Sequence, residues 1–518
     1  DVYKRQAPAR PSAGQRIPRR CRPPKCRCVC RQGSARHAQA QVRLWIRVQV
    51  PAQVEDRRRQ PPRCVALAIQ VMKLFPHAHA THPDWRMACS LIVAQLRAQS
   101  ALPDYASAPP LGLLYFTDHY AEHAQELLDT LSAALPHVSD WVGSAGLGVM
   151  AGEAEYMDEP ALAVMLCDLD ASQYRVFSGI SPLPQQFAAS TMLVHADAQT
   201  PDLQELVAEL AERTRERSLH GGLVASRRQP WQVAWSSHGQ LPDLQVDGRG
   251  MIEGGISGVA LGTEVVWAAK LAQGCHPIGP RRRITAAEGQ VVTELDGQPA
   301  LAMLLQDSQL PLDASLQARA DLMALLRRTL ICLELGEGEV AASWSEATSA
   351  SGMTEVPALG VEEGGHRVHG PIESQARPII GVDLARQGLA LAGGNGAVRV
   401  GMEMTFCQRD LRTARRDLVR ACTEVREMLE PASLSHDQIH ARLDDEARSL
   451  APAGRGVAGA IYFSCASRGG AYFGGPNAEL QIVRRALGHV PLVGVFTAGE
   501  VSDRLLHTYA GVLFVFPS

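Results

Sequence analysis

Nowhere in the 518 residues do 18 apolar residues stand in a row, so no helical membrane span is written into the chain. The short apolar stretch Val65–Met72 lacks a proper cleavage region, so no secretory signal peptide is expected there. Eight of the 12 cysteines are scattered. Cys21, Cys26, Cys28 and Cys30 lie close together, but they form no paired C-x2-C knuckle and no second cluster follows. No zinc site is read there, and reduced thiols of a cytoplasmic protein are the expected state. A repeat of roughly 20–50 residues, which would mark a solenoid, is absent.

What is present is long enough for more than one core, and an apolar content of 46% is that of a globular protein. The formal net charge of -3 hides an asymmetry: residues 1–63 carry 17 Lys/Arg against 3 Asp/Glu, and the remainder carries 34 against 51. Such a basic stretch suits a nucleic-acid arm. Residues 1–71 are also Arg- and Pro-rich and little periodic, whereas an ordinary protein start and an amphipathic helix follow Met72. The first 71 residues are therefore expected to be a disordered basic arm or non-native sequence upstream of a start at Met72, and nucleic acid is not the expected partner.

The most informative stretch is Gly456 to Phe516. Apolar runs at Val457–Phe463, Val490–Phe496 and Ala510–Phe516 read as buried strands, with a crossover helix over about Asn477–Leu487. The pattern occurs once before. Tyr115-Phe116 parallels Tyr462-Phe463, His137-Val138 parallels His489-Val490, and Ala145-Gly146 parallels Ala498-Gly499. The expected fold is α/β, with two related mixed halves built on strand–helix–strand repeats. Further strands are expected at Ala189–His195, Gly221–Ser226, Gly254–Leu261, Glu264–Ala269, Ile284–Ala286, Val291–Asp296, Arg377–Asp383, Leu389–Leu391 and Val398–Val400. Helices are expected over Trp85–Arg97, after an Asp202 cap, from about Pro299, and over Asp313–Leu333, Asp410–Leu429 and His436–Leu450. Residues 334–376 lose all periodicity and read as a linker or insertion. Three segments follow: a tail at 1–71, an α/β domain at 72–299, and a second at 300–518 containing the insertion.

Loops at strand carboxyl ends are where α/β sheets hold ligands, so two turns become the candidate walls of one pocket. In Cys465–Gly470, the Arg468 fork suits a carboxylate, and Gly469 and Gly470 add backbone donors. In Thr497–Glu500, Glu500 follows Gly499 and suits an ammonium group. Arg468 and Glu500 can equally pair with each other or face water. The Gly143–Gly146 turn, with Ser144, reads as structural or as pocket lining, and Asp383 as a cap or a ligand contact. Cys465 lies three residues from an arginine, with His276 or His507 as a candidate base for a nucleophilic thiol. Cys275 and His276, alone in a Gly/Pro-framed segment, read as a turn rather than a metal site. No coherent catalytic set and no cofactor site emerges.

The segments GSAGLG, GGLVAS, QGCHPIGP and ELDGQPAL, followed by RPIIGVD, VGMEMTFCQRD, FSCASRGG and PLVGVFTAGE, resemble a FIST protein in content and order. The resemblance implies a sensory module in signal transduction, of the kind found in bacteria and in some F-box proteins. It implies binding of small ligands such as amino acids or their derivatives, and no established reaction. No kinase, cyclase, F-box or methyl-accepting segment is visible, so a separate output protein is the expected partner.

Overall fold

The computed structural model describes residues 73–237, 250–310, 316–334, 374–392, 398–429 and 456–518. Three units of one plan account for most of it. The first runs β1 (His77–Thr81), α1 (Trp85–Ser100), β2 (Leu111–Thr117), α2 (Ala124–Ala134), β3 (Asp140–Gly146), β4 (Gly148–Ala151), β5 (Ala154–Met157) and β6 (Ala161–Cys167). β2 and β3 are parallel, as a helical crossover requires, and β6 returns antiparallel to β2. Every residue of β2, β3 and β6 is buried, because both faces of this sheet are covered; that explains why the runs are apolar throughout rather than alternating.

The second unit comprises β7 (Tyr174–Phe177), β8 (Ala189–Ala196), α3 (Leu203–Glu212), β9 (Leu219–Leu223), β10 (Gln232–Ser236), β11 (Met251–Ile252) and β12 (Ile256–Gly262). The third opens with β13 (Ala268–Ala272) and is then interrupted. The inserted part holds β14 (Cys275–Pro277), β15 (Arg282–Glu288), β16 (Val291–Leu295), β17 (Gln298–Pro299), α4 (Ala300–Asp307), α5 (Leu316–Arg328), β18 (Thr329–Glu334), β19 (Ser374–Asp383), β20 (Gly388–Leu391), β21 (Glu403–Arg409) and α6 (Leu411–Leu429). The third unit resumes with β22 (Val457–Cys465), α7 (Ala478–Leu487), β23 (Leu492–Thr497), β24 (Gly499–Asp503), β25 (Leu505–His507) and β26 (Gly511–Pro517). In the insertion the sheet closes on itself, since β18 pairs with both β19 and β21.

The three units exchange hairpins in a ring. Strands β4 and β5 leave the first unit and join β23 of the third; β24 and β25 leave the third and join β9 of the second; β10 and β11 leave the second and join β3 of the first. The resulting sheet orders are β1-β6-β2-β3-β10-β11, β7-β12-β8-β9-β24-β25 and β13-β26-β22-β23-β4-β5. The two repeats read from the sequence are thus present, and the structure adds a third related to both.

A glycine marks the same place in each sheet. A Cβ on Gly143, Gly221 or Gly494 would lie 1.8 Å from the Leu114 carbonyl oxygen, 1.9 Å from that of Val194 and 2.2 Å from that of Tyr462. The next residue of each first strand is Tyr115, His195 or Phe463. These three rings meet one another, with centroid separations of 5.6, 6.1 and 5.9 Å. Around them the inward faces of all three sheets form one core. Outward, α1 and α2 cover the first sheet, α3 the second, and α6 and α7 the third.

Several local expectations need correction. The helix expected over Asp313–Leu333 ends at Arg328, and Thr329–Glu334 is strand β18, where the β-branched Thr329 and Ile331 pair with β21. Val398–Val400 form no strand; Glu403–Arg409 do. Asp202 lies in the left-handed region and its side chain caps nothing. The strand expected over Glu264–Ala269 begins only at Ala268 and pairs with β26 rather than folding back as a hairpin. Cys275–Pro277 is a strand, not a turn. The His436–Leu450 helix, residues 1–71 and most of 334–376 lie outside the described residues.

Candidate functional site

Strand pleating sorts the end of β22 into two faces: Tyr462 and Ser464 point one way, Phe463 and Cys465 the other. On the first face, a short 3-10 turn at Ala466–Arg468 brings the Arg468 guanidinium over the strand and under α7. Arg468 is only 1% exposed. Its Nε and Nη2 donate to Glu479 Oε1 at 2.9 and 2.7 Å, and Nη1 donates to the Ala272 carbonyl at 2.9 Å. Glu479, in the first turn of α7, also accepts from the Tyr462 hydroxyl at 2.7 Å and from Ser464 Oγ at 2.9 Å. Both ions of this pair are therefore buried and densely hydrogen-bonded, the condition under which a desolvated ion pair is tolerated.

Glu500 is fully buried nearby. Its carboxyl accepts from Thr497 Oγ1 at 2.8 Å and from the Ala510 N–H at 3.0 Å. Burial pushes its pKa up to about 8; these two hydrogen bonds and the field of Arg468 oppose that rise. Arg468 and Glu500 are thus electrostatic neighbours, while the Nε and Nη2 hydrogen bonds of the arginine go to Glu479 and that of Nη1 to the Ala272 carbonyl.

The other sequence-derived residues fall into place around them. The Cys465 thiol lies 3.1 Å from Ser467 Oγ, and burial followed by the charge of Glu500 pushes it up to about 11, which disfavours the thiolate. No hydrogen bond joins it to a histidine among the described residues. His507, opposite Glu500 in the β24–β25 hairpin, is lowered to about 4 by burial. Gly469 lets the exchanged hairpin approach: a Cβ there would lie 2.0 Å from Met157 Cε. Gly470 adopts a φ of 66°. A Cβ on Gly499 would stand 3.0 Å from the His507 carbonyl oxygen, and one on Gly146 2.4 Å from Val495 Cγ2. Gly143 and Ser144 sit within β3, not in a turn. Asp383 belongs to the inserted sheet, where its carboxylate accepts from the N–H groups of Ala385 and Arg386 at 3.0 and 3.1 Å.

Sequence reasoning missed a second polar group, on the inward faces. Register places Tyr115, Ser144 and Gln232 in one row, and His195, Gly222 and Glu500 in the corresponding row of the second sheet. Tyr115 Oη lies 3.2 Å from His195 Nε2, and Ser257 Oγ donates to Gln232 Oε1 at 2.7 Å. His195 Nδ1 has no hydrogen-bond partner, and burial lowers this histidine to about 3. Glu479 was missed too; its one sequence signal is an acidic residue in the first turn of the crossover helix.

Comparison with known families matches the FIST N domain to residues 110–298 and the FIST C domain to residues 331–503. The chain belongs to the FIST family. FIST domains are sensory domains of signal-transduction proteins. The FIST N match begins just before β2, leaving out β1 and α1, and takes in the rest of the first unit, the second unit, β13 and the opening strands of the insertion; the FIST C match runs from β18 to the end of β24. Among curated relatives, the uncharacterized protein Rv0628c of Mycobacterium tuberculosis is 23% identical, the alignment covering 84% of this chain and 98% of the relative. The uncharacterized protein Mb0898c of Mycobacterium bovis is 24% identical over 84% of this chain and 97% of its own length. Among the described residues, no helix of this FIST protein is long and apolar enough to cross a membrane.

Proposed function

We propose that this FIST chain is a cytoplasmic sensor of an amino-acid-like zwitterion, bound where β22 and β23 end and β24 begins. The observation that carries the reading is Glu500. It is a wholly buried carboxyl whose hydrogen-bond partners among the described residues are one hydroxyl and one backbone N–H. A ligand ammonium there supplies the countercharge that favours its ionised form. The ligand carboxylate competes with Glu479 for the Arg468 fork, with the Gly469 and Gly470 backbone alongside. Because Glu479 belongs to the first turn of α7, a change of partner at Arg468 is felt by that helix, whose opposite end is on the surface available to a separate output protein. Cys465, Gly499 and Ser144 line or support the same region, and Gly143 and Gly146 hold the strands close beside it.

The test is calorimetry and thermal shift of the full-length protein against amino acids and their deaminated and decarboxylated analogues. Binding is expected to require both charged ends. Each charge-assisted hydrogen bond contributes about 1.5–3 kcal/mol, so Glu500→Gln should weaken binding by roughly one to two orders of magnitude. An absence of any shift across the library overturns the reading.

A further inference from the structure

Of the seven described cysteines, three come together. Cys275 is on β14, Cys407 on β21 and Cys332 on β18, and β21 runs between the other two strands. Register puts them on one face. Cys275 pairs with Arg409 and Cys332 with Thr405, which lie two residues on either side of Cys407 and therefore point the same way. All three Sγ atoms lie within 4.8 Å of one another, and those of Cys275 and Cys332 are 3.9 Å apart. Cys275 and Cys332 sit on the two strands flanking β21, so their side chains lean inward over that strand to meet.

We propose that Cys275, Cys332 and Cys407 form a three-thiolate site for one thiophilic d10 cation of the zinc, cadmium or copper(I) class. With metal–sulfur bonds of about 2.3 Å, two sulfurs on one ion stand roughly 3.8 Å apart in tetrahedral and 4.0 Å apart in trigonal geometry, which brackets the observed pair. The pair is not a disulfide, because its sulfurs stand 3.9 Å apart against the roughly 2.05 Å of an S–S bond. The surroundings are apolar, namely Leu330, Ala376 and Tyr509. Cys407 is buried, while Cys275 and Cys332 are partly exposed, which gives an ion a way in. His276, the neighbour that the sequence suggests, points to the other face of the sheet because successive strand residues alternate. The fourth position is left to solvent or a small thiol. Binding the cation displaces the thiol protons.

The experiment uses the full-length chain with Cys21, Cys26, Cys28, Cys30 and Cys64 replaced by serine, so that tail thiols do not contribute. The reduced protein is titrated with cadmium(II), following thiolate-to-metal charge-transfer absorption and counting thiols open to a thiol reagent. One equivalent of cadmium is expected to saturate the band and to protect three thiols. Adding Cys275→Ser, Cys332→Ser and Cys407→Ser should abolish both effects, and Cys89→Ala should leave both unchanged. Should the triple variant not fold, two measurements decide. Cys332→Ser alone should weaken cadmium binding at least about tenfold, and X-ray absorption on the unsubstituted site should show three sulfurs around the metal. No band at one equivalent, an undiminished band in either variant, or fewer than three sulfurs overturns the proposal.

Discussion

Gly494 stands opposite Tyr462 in the parallel β22–β23 ladder, with no room for a side chain: a Cβ would lie 2.2 Å from the Tyr462 carbonyl oxygen. The obstructing atom is backbone, so relief would require the ladder itself to shift. Gly494→Ala is expected to destabilise by about 3 kcal/mol in urea unfolding, and Gly143→Ala and Gly221→Ala similarly. Gly179→Ala serves as the control, because nothing lies within 4 Å of its Cβ position. Equal midpoints for Gly494→Ala and the control would show that the three close approaches are not what hold the strands.

The Arg468–Glu479 pair is expected to be worth more intact than halved. Arg468→Ala strands a buried carboxylate and should cost about 3–5 kcal/mol, whereas Arg468→Met combined with Glu479→Gln should cost clearly less than the sum of its single changes. A double-mutant cycle from denaturant midpoints reads the coupling, and strictly additive costs would refute it.

Burial makes Glu500 harder to ionise in the folded chain, at about 8 against an ordinary 4.5. The folded state then binds the proton more tightly than the unfolded state does, so this group's stabilising contribution is full below pH 4.5 and is lost as pH rises through about 8. Glu155, raised to about 7 by burial, has the same sign. His195 and His220, lowered to about 3, and His77 and His507, lowered to about 4, act oppositely and remove stability as pH falls below 6.5. Glu500→Gln should therefore move the pH of maximum melting temperature upward. A profile superimposable on the parent protein's between about pH 5 and pH 9 would contradict this.

At the meeting point of the three sheets, Tyr115→Phe deletes the hydroxyl 3.2 Å from His195 Nε2. The His195 Nδ1 already lacks a partner, so the change leaves the imidazole with none and should cost about 1–3 kcal/mol. Adding His195→Phe should recover part of that loss in thermal unfolding. A double variant less stable than Tyr115→Phe would count against an unsatisfied imidazole as the cause.

The first and third units were legible because their strands are uninterrupted apolar runs ending in small residues, and because Tyr-Phe, His-Val and Ala-Gly recur in order. The second unit obeys the same plan with different side chains: His195 stands where Tyr115 and Phe463 stand, and a long connection follows β9, so no residue match betrays it. Hairpin exchange is invisible to any local pattern, since β4 finds its partner in β23 at the far end of the chain. Thr329–Glu334 was misread because an apolar strand directly following a helix prolongs the helical spacing. At the candidate site, Arg468 and Glu500 were singled out from their position after apolar strands; Arg468 does lie in a turn after β22, whereas Glu500 is already the second residue of β24. What the arginine holds was not legible, because Glu479 meets it only once α7 folds back so that Tyr462, Ser464 and Arg468 all reach that carboxylate.

The ring of exchanged hairpins also decides what can be cut away. A fragment ending at residue 298 keeps β9 but not the β24 that covers it, and keeps β4 and β5 with no β23 to receive them. Both remnants expose unpaired strand edges, the surfaces through which chains stick to one another. Truncated forms of this protein are thus poised to aggregate or to complete themselves from a neighbouring chain, which makes the two FIST segments hard to inherit or express one without the other.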